Sequence, residues 1–67
     1  MKILLNNNEE EIPRSPMTID QLLQHKNFTF KMLVVKVNGQ LVKKADYATA
    51  ELREGDEVHV LHLISGG

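Results

Sequence analysis

The residues best placed to do chemistry are the last two, Gly66 and Gly67, which follow Ser65 at the carboxyl end. Glycine lacks a Cβ and samples φ of either sign. A tail built from it can thread a channel too narrow for side chains and bring its terminal carboxylate close to a bound nucleotide. On that reading the reacting group is the carboxylate of Gly67, and Gly66 serves access. The competing reading is a frayed chain end or an engineered scar, since termini are commonly loose and added tails are often small residues. What separates the two is whether the preceding residues form a domain that delivers the tail from its last strand.

The other candidate groups have structural readings. His25, His59 and His62 invite a metal, but on a strand a separation of three puts His59 and His62 on opposite faces, where they cannot share one ion. His25 falls at a helix end, where a cation meets the negative end of the dipole. Glu9, Glu10 and Glu11 read as a solvated strand with Ile12 as its inward residue. Tyr47 reads as a half-buried plug with a wet hydroxyl. Phe28 and Phe30 read as core plugs, because base-stacking platforms would want a basic face. There is no cysteine, hence no disulfide, thiolate nucleophile or thiolate metal site. No Ser-His-Asp arrangement, P-loop or G-x-G-x-x-G occurs.

Composition narrows the class further. At 67 residues the chain is one domain, and a domain this small buries only about 60% of the surface its unfolded chain exposes. That leaves little room for a walled active site, so a self-contained enzyme is not expected. Eight Lys+Arg against nine Asp+Glu, a net charge of -1, give no footprint on a phosphate backbone, so no nucleic-acid partner is expected. Neither a membrane span nor a leader peptide is expected, and the cytosol is the expected compartment.

The elements that must position the tail follow from periodicity. Lys2 to Leu5 reads as a strand, the Asn6-Asn7-Asn8 run as a hairpin turn, and Glu9 to Ile12 as the return. Pro13 to Pro16 break that strand. Thr18 with Gln21 makes a T-x-x-Q capping box for a helix over 18–25, with Met17 stapling onto Leu22 and Ile19, Leu22 and Leu23 on its buried stripe. Leu33 to Val37 is the strongest strand signal, and Asn38-Gly39 is a type I′ turn returning the chain as a short strand over 40–43. Residues 44–52 read as irregular, anchored by Leu52. Arg53 to Asp56 read as a turn, and Glu57 to Ile64 as the closing strand that mounts the tail.

This order, hairpin, helix, strong strand, short strand, turn segment, closing strand and free Gly-Gly, resembles the ubiquitin-like β-grasp fold. Within it the chain is most similar to the ThiS family, the small sulfur carriers of thiazole synthesis in the thiamine pathway. The matching residues are Met1-Lys2-Ile3, Met17-Thr18-Ile19 with Leu22-Leu23, and Val35-Lys36-Val37-Asn38-Gly39. Leu52-x-x-Gly55-Asp56-Glu57-Val58 and Gly66-Gly67 complete the set. Tyr47, where relatives often carry Trp, and the polar run Asn6 to Glu11 depart from the pattern.

The resemblance implies an α+β fold: a mixed sheet of four to five strands on one main helix over residues 1–65, with 66–67 a flexible reactive tail. It implies a carrier and co-substrate, not a catalyst. An ATP- and Mg²⁺-using adenylating enzyme related to ubiquitin-activating enzymes would convert the Gly67 carboxylate to an acyl adenylate. A sulfur donor, a cysteine desulfurase or a sulfurtransferase, would displace AMP and leave a thiocarboxylate, 1-thioglycine at Gly67. A thiazole synthase would then take the sulfur. The domain itself would bind no cofactor and no metal. Three alternatives stay open: the small subunit of molybdopterin synthase in molybdenum cofactor synthesis, a protein modifier joined to lysines through Gly67, and a passive β-grasp binding module.

A β-grasp order also puts the first and last strands side by side and parallel. If Ile3, Val35 and Val58 face the helix, alternation sends Leu4, Val34, Leu61 and Leu63 to the uncovered face. Those residues are the expected docking surface for partners.

Overall fold

The computed structural model describes residues 1–13, 15–28 and 33–62. The chain begins with β1 (Lys2–Leu5) and β2 (Asn8–Glu11), antiparallel partners joined through Asn6 and Asn7 at φ 50° and 69°. Positive φ at both central positions is the type I′ geometry, and asparagine tolerates it because its short side chain bonds locally. Beyond β2 the hairpin is tied once more. The Ile12 N–H donates to the Met1 carbonyl at 2.7 Å, and the Met1 ammonium donates back to the Ile12 carbonyl at 2.6 Å. Ile12 is fully buried, the inward residue its position demands.

Met17–Thr18 (β3) leads directly into α1, Ile19–His25. Thr18 is the N-cap and not the first helical residue. Its Oγ1 accepts from the Gln21 N–H at 3.1 Å, and Gln21 Oε1 accepts from the Thr18 N–H at 2.9 Å, which completes the capping box. A seven-residue helix is too short to persist alone in water, so packing must hold it. Ile19, Leu22 and Leu23 supply that packing as one buried stripe.

β4 (Leu33–Val37) and β5 (Gln40–Val42) form the second hairpin, with Asn38 and Gly39 at φ 51° and 83°. The following stretch is more ordered than its sequence suggests. Lys44–Asp46 makes a 3₁₀ turn, and Glu51–Leu52 forms β6, antiparallel to β3 with Met17 opposite Leu52. The helix N-terminus explains this order. The Ile19 N–H donates to the Ala50 carbonyl at 3.0 Å and the Asp20 N–H to the Tyr47 carbonyl at 2.9 Å. Amide groups that a helix start leaves unpaired are thereby satisfied by the loop.

The closing strand β7 (Glu57–His62) lies at the centre of a five-stranded sheet ordered β2-β1-β7-β4-β5. It runs parallel to β1 and antiparallel to β4, and the intervening hairpin and helix supply the long crossover that a parallel pair needs. The core between sheet and helix contains Ile3, Leu5, Ile19, Leu22, Leu23, Val35, Val58 and Val60, with Leu33 and Val37 half-buried at its margin. Ile12, Met17, Tyr47 and Leu52 complete it, and Phe28 packs against it. Phe30 lies outside the described residues.

Candidate functional site

The chemistry anticipated from sequence falls on Gly67, with Gly66 as access, and both lie outside the described residues, as does Leu63. What the structure builds is the mount. His62, the last residue of β7, stands five positions before Gly67 in the chain. Whatever its path, a chain of that length reaches at most about 18 Å.

The mount is held from both sides. At its start, the Asn38 N–H donates to the Glu57 carbonyl at 2.7 Å, and Asn38 Oδ1 accepts from the Glu57 N–H at 3.0 Å. Asn38 Nδ2 also donates to Asp56 Oδ1 at 3.1 Å, while Asp56 Oδ2 accepts from the Arg53 N–H at 2.9 Å. Gly55, at φ 84°, makes the turn between them and donates its N–H to the Lys2 carbonyl at 2.8 Å. Along the β1 side, Leu4 and Asn6 donate their N–H groups to the Asp56 and Val58 carbonyls, both at 2.9 Å. β1 ends at Leu5. One residue on, the Asn6 side chain takes the place of a further strand residue. Its Oδ1 accepts from the Val60 N–H at 2.8 Å and its Nδ2 donates to the Val60 carbonyl at 3.2 Å.

Sequence reasoning missed these roles. The Asn-Gly and Asn-Asn pairs signal turns, but pairing across 54 positions, as between Asn6 and Val60, has no local signature. The Gly55-Asp56-Glu57 motif was visible without its purpose, which is to start β7 in register.

On the uncovered face, register decides what lies together. Val34 is directly opposite Leu61, and Leu41 is opposite Lys36, which is itself opposite His59. Leu61 and Leu41 are 49% and 60% exposed, while Val34 is half-buried. Leu4, also half-buried, sits elsewhere, opposite Glu9 on one side and Glu57 on the other. The expected surface thus divides into an apolar strip, Val34 with Leu61, and a separate Leu4 set among carboxylates.

His59 Nε2 lies 3.4 Å from Glu57 Oε1 on the uncovered face. Val58 and Val60, buried on the helix side, alternate with His59, so His62 falls on the opposite face from His59. Among the described residues no three His, Cys, Asp or Glu side chains gather as a metal site. Glu10 pairs with Lys26 at 2.7 Å, tying β2 to the helix end. Burial of Tyr47 pushes its phenol above the ordinary value. Among the described residues no helix is long and apolar enough to cross a membrane.

One capped helix laid across a mixed sheet, with parallel first and last strands as central neighbours, defines a ubiquitin-like β-grasp domain. Residues 2–67 match the sequence pattern of the ThiS family. The chain belongs to that family. The crystal structure of the thiamine biosynthesis protein ThiS from Geobacter metallireducens superposes with a TM-score of 0.89 at 19% identity, covering 100% of both chains. A solution structure of a thiamine biosynthesis protein from the same organism gives 0.77 at 18% identity, covering 100% of this chain and 88% of the other. A thiazole synthase of Paramagnetospirillum magneticum is 30% identical over 67 residues, and the chain spans 20% of that relative's length.

Proposed function

We propose that the chain is the sulfur carrier of thiazole formation in thiamine biosynthesis, with the Gly67 carboxylate as its working group. The observation that carries this reading is the family match running through Gly67, beyond a closing strand clamped along both edges. A carboxylate is a poor electrophile until one oxygen becomes a good leaving group. An ATP- and Mg²⁺-dependent adenylating enzyme supplies that: the carboxylate attacks the α-phosphorus, pyrophosphate leaves, and the acyl adenylate forms. The persulfide sulfur of a donor, a cysteine desulfurase or a sulfurtransferase, then attacks the acyl carbon and expels AMP. A thiol cleaves the S–S bond of the resulting acyl disulfide, forming a disulfide with the donor and releasing the thiocarboxylate, 1-thioglycine at Gly67. A thiazole synthase consumes it. The relative that is itself a thiazole synthase, and matches this chain over a fifth of its length, supports the pairing of such a domain with that enzyme.

In this scheme the domain catalyses nothing. Its own contribution is a stiff mount, a side-chain-free end at Gly66 and Gly67 that fits a narrow site, and a surface for partners to grip. Of the anticipated surface, Val34 and Leu61 form the contiguous part and Leu4 a separate contact; Leu63 is assigned to it by alternation alone.

Intact mass of the protein from its native cells tests the reading, because exchange of one terminal oxygen for sulfur adds about 16 Da. Conjugates of higher mass would instead indicate a protein modifier, and an unaltered terminus a passive module. Deleting Gly67 should abolish ATP–pyrophosphate exchange by the adenylating enzyme and leave the circular dichroism spectrum unchanged. Normal exchange by the truncated chain would sink the assignment.

A further inference from the structure

We propose that Asn6 is a positioning residue for the Gly67 carboxylate: its side chain clamps β7 at Val60 and so steadies the strand to which Gly67 is joined. This rests on the carrier reading of Gly67. The argument begins from a mismatch in strand length. β1 stops at Leu5, paired with Val58, whereas β7 continues to His62. On the β1 side, the main-chain groups of Val60 would have no strand to pair with. Both are met by one asparagine, Oδ1 accepting at 2.8 Å and Nδ2 donating at 3.2 Å. A side-chain amide has the same donor and acceptor as a peptide group, so it extends the ladder by one pair without adding backbone. The clamp sits two positions before the last residue of β7. Loosening β7 there widens the range of positions open to everything that follows it in the chain. Effective delivery of a reacting group is lost steeply with misplacement, by up to about 100-fold for roughly 1 Å.

Asn6 has a second duty, since its φ of 50° makes half of the hairpin turn. Asn6→Gly separates the two. Glycine accepts that φ freely but has no side chain to clamp with. Asn6→Asp keeps the acceptor for the Val60 N–H and loses the donor to its carbonyl.

The first measurement needs no partner. Amide hydrogen exchange at Val60 should speed up in Asn6→Gly, with Val58, which lies within the β1–β7 ladder opposite Leu5, near wild type. The second is ATP–pyrophosphate exchange with the adenylating enzyme, well below the melting temperature of either protein. Asn6→Gly should lower kcat about tenfold and leave the KM for the carrier within about twofold, because docking is retained while productive delivery of the tail is lost. Asn6→Asp should fall between. A merely structural role would lower the melting temperature without splitting kcat from KM. Unchanged exchange at Val60 overturns the clamp, and faster exchange at Val60 with wild-type kcat overturns the positioning role. If the wild-type chain supports no pyrophosphate exchange at all, the carrier reading fails and the positioning role with it, while the Val60 amide still decides whether the clamp exists.

Discussion

Single residues in this chain often serve two elements at once, and that is where its sequence was hardest to read. Asn6 and Asn38 announce turns through their tolerance of positive φ, and both turns exist. Their longer-range work on β7 depends on distances that no local pattern encodes. Tyr47 is a comparable case. Its sequence position suggests a half-buried plug with a wet hydroxyl, but the residue is only 9% exposed and belongs to the core, and its carbonyl receives the Asp20 N–H of the helix start. Burial disfavours the phenolate and raises the folded-state pKa above the ordinary 10.0. The sign follows from linkage: a raised acid contributes stability that is complete below the unfolded pKa and is lost as pH rises through the folded one. Wild type should therefore lose melting temperature more steeply than Tyr47→Phe, whose ring has no proton to release, as pH rises past about 10. Parallel thermal scans of the two proteins check this, since they differ in nothing but the phenol. Equal slopes would mean that the phenol is as well solvated in the fold as out of it.

Elements with a period or a cap were visible in advance, and elements without one were not. The T-x-x-Q box located the helix start to within one residue, and the β-branched run before Asn38-Gly39 located β4 and its partner. The two-residue strands β3 and β6 carry no alternation to detect. They exist because the chain on either side of them must meet the open end of α1. That end is now crowded with acceptors: Thr18 Oγ1 and the Tyr47 and Ala50 carbonyls. Thr18→Ala removes one of these acceptors and half of the capping box, which should cost about 1 kcal/mol, as N-cap losses generally do. Urea unfolding should show a lower midpoint with the same m-value. A loss below about 0.3 kcal/mol would indicate that the carbonyls of the 47–50 loop suffice without the side chain.

At the scale of the whole molecule, the five-stranded sheet has two unlike faces. The helix side is closed by Ile3, Val35, Val58 and Val60, and the other side offers Leu61 and Val34 beside the strand that bears the tail. Alternation alone was enough to assign these faces from sequence. It was not enough to say which outward residues touch, because that is set by strand register, and register parts Leu4 from Leu61. Val60 and Leu61 are neighbours in β7 with opposite surroundings, 7% and 49% exposed, so the same substitution should have opposite consequences. Val60→Asp would force a carboxylate against the core of a small domain and should cost more than about 3 kcal/mol, enough to leave much of a marginally stable chain unfolded. Leu61→Asp meets water and should change stability by no more than about 0.5 kcal/mol. On the proposed carrier role, the same Leu61 variant should bind an adenylating enzyme and a thiazole synthase more weakly, since a charge disrupts a desolvated contact. Circular dichroism melts of both variants, followed by titration of the folded one against each enzyme, separate the two faces. Wild-type affinity of Leu61→Asp for both partners would place the docking surface away from the Val34–Leu61 strip.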